Sequence, residues 1–143
     1  MKILKKNDGP LTNFEVLEFL RSRGATSDPL GCLGSVAASE CKVFDYLIQT
    51  PACNQTRKDV DEFLKRSENF DLAKAEKLNI INLRPSTQAE IYPIIEYCDK
   101  RFAGNEDEGI SKVDELVQMV VEILPPPPKS EEETSDQNEE EAK

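Results

Sequence analysis

The sequence contains no histidine, and its four cysteines are spread singly along 143 residues. No two cysteines have the CxxC spacing of a zinc site, so a four-ligand metal centre has few groups to draw on. Histidine is also the commonest general base, and the acidic residues stand in runs typical of solvated surface. These absences predict a non-catalytic protein without a metal or cofactor, whose thiols stay reduced and packed.

Long apolar runs and clustered basic residues are missing as well. No stretch of about 18 apolar residues and no signal peptide is present, so we expect a soluble chain that is not secreted and does not contact a membrane. The formal net charge is −10. The lysines and arginines around 74–101 alternate with acids, whereas nucleic-acid affinity comes mainly from clustered positive charge. Direct nucleic-acid binding is therefore not expected.

What is present is a set of helical patterns organised around residues 73–91. Residues 73–81 are mostly strong helix formers, and Pro85 predicts that this helix ends by about Leu83. Thr87 and Glu90 then have the spacing of a capping box. The apolar residues that follow fit one helical stripe and predict a single helix, kinked by Pro93: Ile91, Ile94, Ile95, Cys98 and Phe102.

Further start and stop signals predict helices along the rest of the chain. The pattern TNFE at 12–15 begins a helix that ends near Arg23, and Thr56 caps another. A helix over about 35–49 ends at a Thr-Pro pair, and one over about 111–124 has Ser111 at its cap and ends at four prolines. The sequence thus predicts an all-α fold, with an arm over 1–23, a linker over 24–34 and a helical bundle over 35–124.

The arm carries two signs of a partner. Ile3 and Leu4 could form a short strand, which has no second strand to pair with in a helical chain. The helix after it is apolar over about 220° of its circumference, wider than the roughly 100° stripe of a helix packed on one side. The residues concerned are Phe14, Val16, Leu17, Phe19 and Leu20. Such a helix is either sunk in its own core or held on two sides, by its own domain and by a partner.

The last segment, 125–143, is predicted to be a disordered acidic tail. It holds seven acidic residues and two lysines, so half of the formal net charge lies there. Its prolines favour an extended conformation, and the remainder offers too little apolar surface to fold.

The order of several short motifs resembles a known family. The motifs are LAKAEKL at 72–78, NLRP at 82–85, AEI at 89–91, TNFEV at 12–16, TP at 50–51, EFL at 62–64 and ILP at 123–125. Together they resemble the smaller stalk subunit of eukaryotic RNA polymerase III, a family also called the calcitonin gene-related peptide receptor component proteins. The core of the resemblance is a set of eight residues, the corner motif: Lys74, Glu76, Leu78, Asn82, Arg84, Pro85, Glu90 and Ile91.

The resemblance implies an HRDC-like helical bundle in a nuclear, non-catalytic polymerase subunit that acts in transcription initiation. It implies a heterodimer with a larger, OB-fold-bearing stalk subunit, near the polymerase core and initiation factors. The arm would dock on that partner through Ile3, Leu4, Leu11, Phe14, Leu17 and Leu20. The Gly-rich loop at 24–35 departs from the family pattern.

Three alternatives remain open at this point. One is the paralogous stalk subunit of another RNA polymerase. Another is a free-standing helical adaptor or receptor-accessory protein, and the third is an HRDC-type nucleic-acid binder, whose affinity would fall steeply with salt.

Overall fold

A computed structural model of the chain describes residues 2–27, 36–102 and 111–129. Within these ranges the chain forms seven α-helices, two short 3-10 helices and no strand. The α-helices are α1 Asn13–Ser22, α2 Ala38–Leu47, α3 Arg57–Arg66, α4 Lys74–Leu83, α5 Gln88–Ile91, α6 Cys98–Arg101 and α7 Lys112–Ile123, and the 3-10 helices are Pro51–Cys53 and Ser67–Phe70. The predicted all-α class is confirmed.

Three helices begin at the side-chain caps that the sequence indicates. At α1 the Thr12 hydroxyl accepts from the Glu15 backbone N–H at 3.2 Å, and the Glu15 carboxylate accepts from the Thr12 N–H at 2.8 Å. Thr56 caps α3 in the same reciprocal way, and the Ser111 hydroxyl caps α7. Each cap satisfies an N–H that the helix itself leaves without an acceptor, so these starts are fixed locally by sequence.

One hydrophobic core joins the helices. α1 contacts α2 and the first 3-10 helix, while α7 contacts both α3 and α5. The centre of the core consists of side chains that are at most 2% exposed, among them Leu17, Phe63, Ile80, Ile81, Ile91, Ile95, Leu116, Val120 and Leu124. Burial of such a side chain stabilises the fold by about 1.5–3 kcal/mol. Because Leu17 is among them, α1 packs as part of the same core as the helices that follow.

The prediction of a single helix after Thr87 is wrong. α5 ends at Ile91, the chain turns through 92–97 with Tyr97 in the left-handed region at φ 52°, and α6 begins at Cys98. Pro93 has no N–H to continue the helical hydrogen bonds, and its ring clashes with the preceding turn. The residues of the predicted stripe still face the core, with Ile94 half-buried and the others buried. Their burial was therefore predicted correctly from the wrong secondary structure.

The segment before α1 does not form the predicted strand in the single chain. Residues 2–12 have irregular backbone, with a turn in which the Gly9 N–H donates to the Asn7 side-chain oxygen at 3.1 Å. A strand needs a partner for its backbone groups, and the described part of this chain supplies none. Of the predicted linker over 24–34, only 24–27 are described, and of the predicted tail over 125–143, only 125–129. In that last segment Asn54 donates to the Pro126 carbonyl at 2.9 Å.

Candidate functional site

The corner motif connects the first and last helices to α4. The backbone N–H of Asn13 donates to Asn82 Oδ1 at 2.9 Å, which places the start of α1 against the last turn of α4. Arg84 lies just beyond α4 in the left-handed region at φ 47°, and its Nε donates to the Leu124 carbonyl at 3.0 Å. Arginine near a helix C-terminus donates to carbonyls that find no N–H donor within the helix. Asn82 thus caps α1, and Arg84 caps α7.

The other end of α4 is held by a charged pair. Arg101 Nη1 lies 2.6 Å from Glu76 Oε1, and Arg101 Nη2 lies 3.1 Å from Glu76 Oε2, a bidentate arrangement. The same guanidinium donates to the carbonyls of Asp71 and Glu96 at 2.7 and 3.1 Å. Glu76 is only 7% exposed. The hydrogen bonds from Arg101 hold the pKa of the Glu76 carboxyl below its usual range, against the opposing effect of burial.

The corner itself is closed by Glu90. Its carboxylate accepts from the backbone N–H groups of Ser86 and Thr87 at 2.6 and 3.2 Å, which forms the acidic half of the predicted capping box. These hydrogen bonds lower the pKa of the Glu90 carboxyl, and the bond from the Ser86 N–H has the largest effect. Pro85 and Ile91 are fully buried on either side. Six of the eight corner-motif residues therefore have a structural role inside the chain.

The two remaining corner-motif residues, Lys74 and Leu78, line a cavity between α1, α3 and α4. The cavity has a volume of about 260 Å³. Its apolar lining is formed by Pro10, Phe14, Val60, Leu64, Leu78 and Ile81. Among the charged side chains around it are Lys74 and Lys77, both from α4. We call it the α3–α4 cavity.

The predicted docking residues of the arm fall into two groups. Ile3, Leu4 and Leu11 are 75%, 88% and 60% exposed. Phe14, Leu17 and Leu20 are buried in the core of the chain itself. Of the predicted docking residues, only Ile3, Leu4 and Leu11 are exposed enough in this conformation to contact another protein.

Phe19 is an exposed aromatic residue that the sequence did not single out as a docking residue. It is 57% exposed on the opposite side of α1 from the core. The Arg23 guanidinium lies over its ring, 5.7 Å from the centroid, and Arg23 also pairs with Glu40 of α2. The wide apolar arc of α1 contained this signal, because a helix with one buried stripe leaves the rest of such an arc in solvent. Arg101 was also missed, since its partners lie far away in sequence.

Within 2–27, 36–102 and 111–129, no group of three or more potential ligand side chains that could hold a metal ion is found. Over the same ranges no helix is long and apolar enough to cross a membrane. Cys98 is buried on the core stripe, and burial raises the pKa of its thiol, which disfavours the reactive thiolate. The exposed apolar side chains of Ile3, Leu4, Leu11 and Phe19 offer surface for contact with another protein.

Comparison with known proteins finds RNA polymerase subunits among the relatives of this chain. A family model for RNA polymerase Rpb4 matches residues 10–123. DNA-directed RNA polymerase III subunit rpc9 of Dictyostelium discoideum is 32% identical over 115 residues, which cover 74% of this chain and 84% of that protein. The subunit of the same name from Schizosaccharomyces pombe is 28% identical over 127 residues, covering 82% and 96%. DNA-directed RNA polymerase III subunit RPC9 of Saccharomyces cerevisiae is 36% identical over 59 residues, covering 41% and 33%.

Proposed function

The chain belongs to the RNA polymerase Rpb4 family, and on that basis we propose that it is a non-catalytic subunit of RNA polymerase III. The observation that carries this function is the family match over 10–123 together with three relatives that are named as subunits of polymerase III. These names favour polymerase III over the paralogous polymerases and over a free-standing adaptor. A nuclear location and a part in transcription initiation follow from the same assignment.

Within the polymerase, the chain forms a stalk heterodimer with a larger, OB-fold-bearing subunit. The support lies in residues 2–12, which precede the folded core and expose Ile3, Leu4 and Leu11. An extended segment with unpaired backbone groups and exposed apolar side chains is suited to adding a strand to the sheet of another protein. The predicted strand would then form only in the complex.

The buried residues of α1 support the docking segment by fixing the helix on the core. Phe14, Leu17 and Leu20 fix α1 on the core, and Asn82 holds its first turn. The arm is thereby anchored at Thr12, immediately after the residues that contact the partner. Phe19, on the outer side of α1, extends the contact surface beyond the strand.

Co-expression with the larger polymerase III stalk subunit, followed by affinity capture, tests the assignment. The informative variant is Ile3→Asp/Leu4→Asp/Leu11→Asp, because charges at these exposed positions leave the core intact. Charges at Phe14 or Leu17 would instead be buried without a partner and would destabilise the fold. The matched control is Tyr92→Asp/Tyr97→Asp, which changes exposed side chains near the opposite end of α4.

We expect the wild type and the control to form a stable heterodimer and the arm variant to lose it while keeping its helicity. Capture of the paralogous large subunit instead would identify another polymerase. A wild type that stays monomeric with both large subunits would overturn the assignment in favour of an adaptor. If the arm variant binds as well as the wild type, the chain is still a polymerase subunit but docks through another surface.

A further inference from the structure

We infer that the α3–α4 cavity binds one large apolar side chain from a peptide segment of another protein, with carboxylates of that segment on the α4 side. Six of the eight corner-motif residues have a structural role inside the chain. Lys74 and Leu78 are the two that remain, and both line this cavity. Neither is required for a hydrogen bond or an ion pair within the described part of the chain.

The volume of the cavity indicates what kind of group it can hold. Cavities that hold drug-sized ligands or cofactors usually measure about 300–1,000 Å³, whereas an apolar cavity of about 150 Å³ takes up a benzene molecule. At about 260 Å³, the α3–α4 cavity suits a single phenylalanine or leucine side chain. Leu64 at its mouth is 39% exposed and Leu78 is half-buried, so the occupant would cover apolar surface that now meets water.

The charges around the cavity indicate which residues should flank that side chain in the bound segment. Glu15 is engaged in the cap of α1, and Arg57 pairs with Glu18 at 2.6 Å. On the α4 side, Lys74 and Lys77 form no ion pair within the described residues, so they can meet carboxylates of an incoming segment. Asp61 stands on the α3 side and disfavours carboxylates there. The cavity therefore fits a segment that is apolar at one end and acidic at the other.

The acidic tail of this chain is a poorer occupant than another protein. Residues 130–143 contain seven carboxylates, but their only apolar side chain is that of Ala142. The tail could meet the lysines but could not fill the apolar lining. The inference goes beyond the proposed function and is tested on the chain alone, so it can fail while the polymerase assignment stands, and the reverse also holds.

The experiment is an NMR titration of the full chain with three short synthetic peptides, acetylated and amidated at their ends. The probe is Leu-Phe-Asp-Asp. The first control, Leu-Phe-Lys-Lys, keeps the apolar part and reverses the charge, and the second, Ser-Ser-Asp-Asp, keeps the charge and removes the apolar part. We expect the probe to shift amide signals of residues lining the cavity, such as Val60, Leu64 and Leu78, and both controls to bind at least about tenfold more weakly.

Variants of the chain then assign the two parts of the site. Lys74→Glu/Lys77→Glu should weaken the probe about tenfold, whereas the matched control Lys42→Glu/Lys112→Glu has the same change of charge on other helices and should bind as the wild type. Leu64→Asp, at the exposed mouth, should abolish binding without unfolding the chain, which thermal unfolding verifies. Asp61→Asn should bind the probe more tightly, because it removes a carboxylate that lines the cavity and is not held in a helix cap.

Each contrary result overturns the inference. Equal binding of Ser-Ser-Asp-Asp would reduce the site to surface lysines, and equal binding of Leu-Phe-Lys-Lys would remove the role of Lys74 and Lys77. A probe that shifts no cavity signal at millimolar concentration would show that the cavity is not a binding site. If Lys74→Glu/Lys77→Glu moves the signals of residues 130–143 without any peptide, the tail of the chain is the occupant.

Discussion

The backbone N–H of Asn13 donates a hydrogen bond to Asn82 Oδ1 at 2.9 Å, although the two residues are 69 positions apart. Asn13 is the first residue of α1, so this N–H has no acceptor inside its own helix. One side chain of α4 thus completes the cap that Thr12 and Glu15 begin. The contact also positions the segment that we propose as the docking arm.

Replacing Asn82 by alanine should lower the free energy of unfolding by about 1 kcal/mol, the usual effect of losing a helix cap. Asn82→Asp should retain most of the stability, because a carboxylate accepts the same bond and is favoured at a helix N-terminus. The matched control is Asn79→Ala, an exposed position on the same helix, which should change stability by less than about 0.5 kcal/mol. Urea unfolding measures all three. Equal effects at Asn79 and Asn82 would contradict the capping role.

The Glu76–Arg101 pair predicts an acid-sensitive contribution to stability. The pKa of Glu76 is lowered in the folded protein, so this contribution is complete above the ordinary pKa of a glutamate and is lost as the pH falls through the lowered one. Arg101→Ala should cost about 2 kcal/mol at neutral pH, since it removes charged hydrogen bonds and leaves Glu76 buried without its partner.

The pH dependence of urea unfolding separates this pair from general acid effects. The stability difference between wild type and Glu76→Gln should shrink as the pH falls, because the wild-type carboxyl also becomes neutral. Glu68→Gln, an exposed change on the preceding 3-10 helix, should stay within about 0.5 kcal/mol of wild type throughout. A difference at Glu76 that is constant with pH would mean that packing, rather than charge, is responsible.

The Asn13–Asn82 and Glu76–Arg101 contacts show which interactions could not be predicted from the sequence. The caps at Thr12, Thr56 and Ser111 were predicted because donor and acceptor lie within one turn, and so was the burial of the stripe from Ile91 to Phe102. The partners of Asn82 and Arg101 were not, because a polar side chain that bonds 25 or 69 residues away carries no local pattern. Asn82 and Glu76 stood out only through the resemblance to a family, and Arg101 did not stand out at all.

The predictions that were wrong also depended on packing that leaves no local pattern in the sequence. The stripe from Ile91 to Phe102 fits a continuous helix, but Pro93 ends α5, and turns then bring Ile95 and Cys98 back to the core. Apolar spacing records which residues are buried and does not by itself fix the backbone between them. For α1, the width of the apolar arc left open whether the helix is sunk in its own core or held on two sides. Which residue faces the core depends on tertiary packing, which places Leu17 inside and Phe19 outside.

A substitution in the turn between α5 and α6 should stabilise the fold. Tyr97 has φ 52° and is 67% exposed, and a residue with a Cβ in this region costs about 1–2 kcal/mol. Asparagine tolerates the conformation better, while the exposed contact between Tyr97 and Lys100 is worth at most about 1 kcal/mol. We therefore expect Tyr97→Asn to raise the free energy of unfolding by about 0.5 kcal/mol.

The control for this change is Tyr92→Asn, at an ordinary φ of −53°. It offers no relief of backbone strain and should be neutral or destabilising. Thermal unfolding of the two variants decides the matter. A Tyr97→Asn variant that melts below Tyr92→Asn would show that the Tyr97 side chain contributes more than its backbone conformation costs.

The two sides of α1 should separate stability from partner binding. Leu17 is fully buried, so Leu17→Ala should cost about 3 kcal/mol of folding free energy by leaving a cavity in the core. Phe19 is 57% exposed on the same helix, so Phe19→Ala should change stability by less than about 1 kcal/mol. If α1 contacts the larger stalk subunit as proposed, Phe19→Ala should weaken that complex about tenfold, as aromatic residues at interfaces commonly do. Urea unfolding of the single chain and calorimetric titration with the partner measure the two effects. An unchanged affinity for Phe19→Ala would restrict the docking surface to the segment before Thr12.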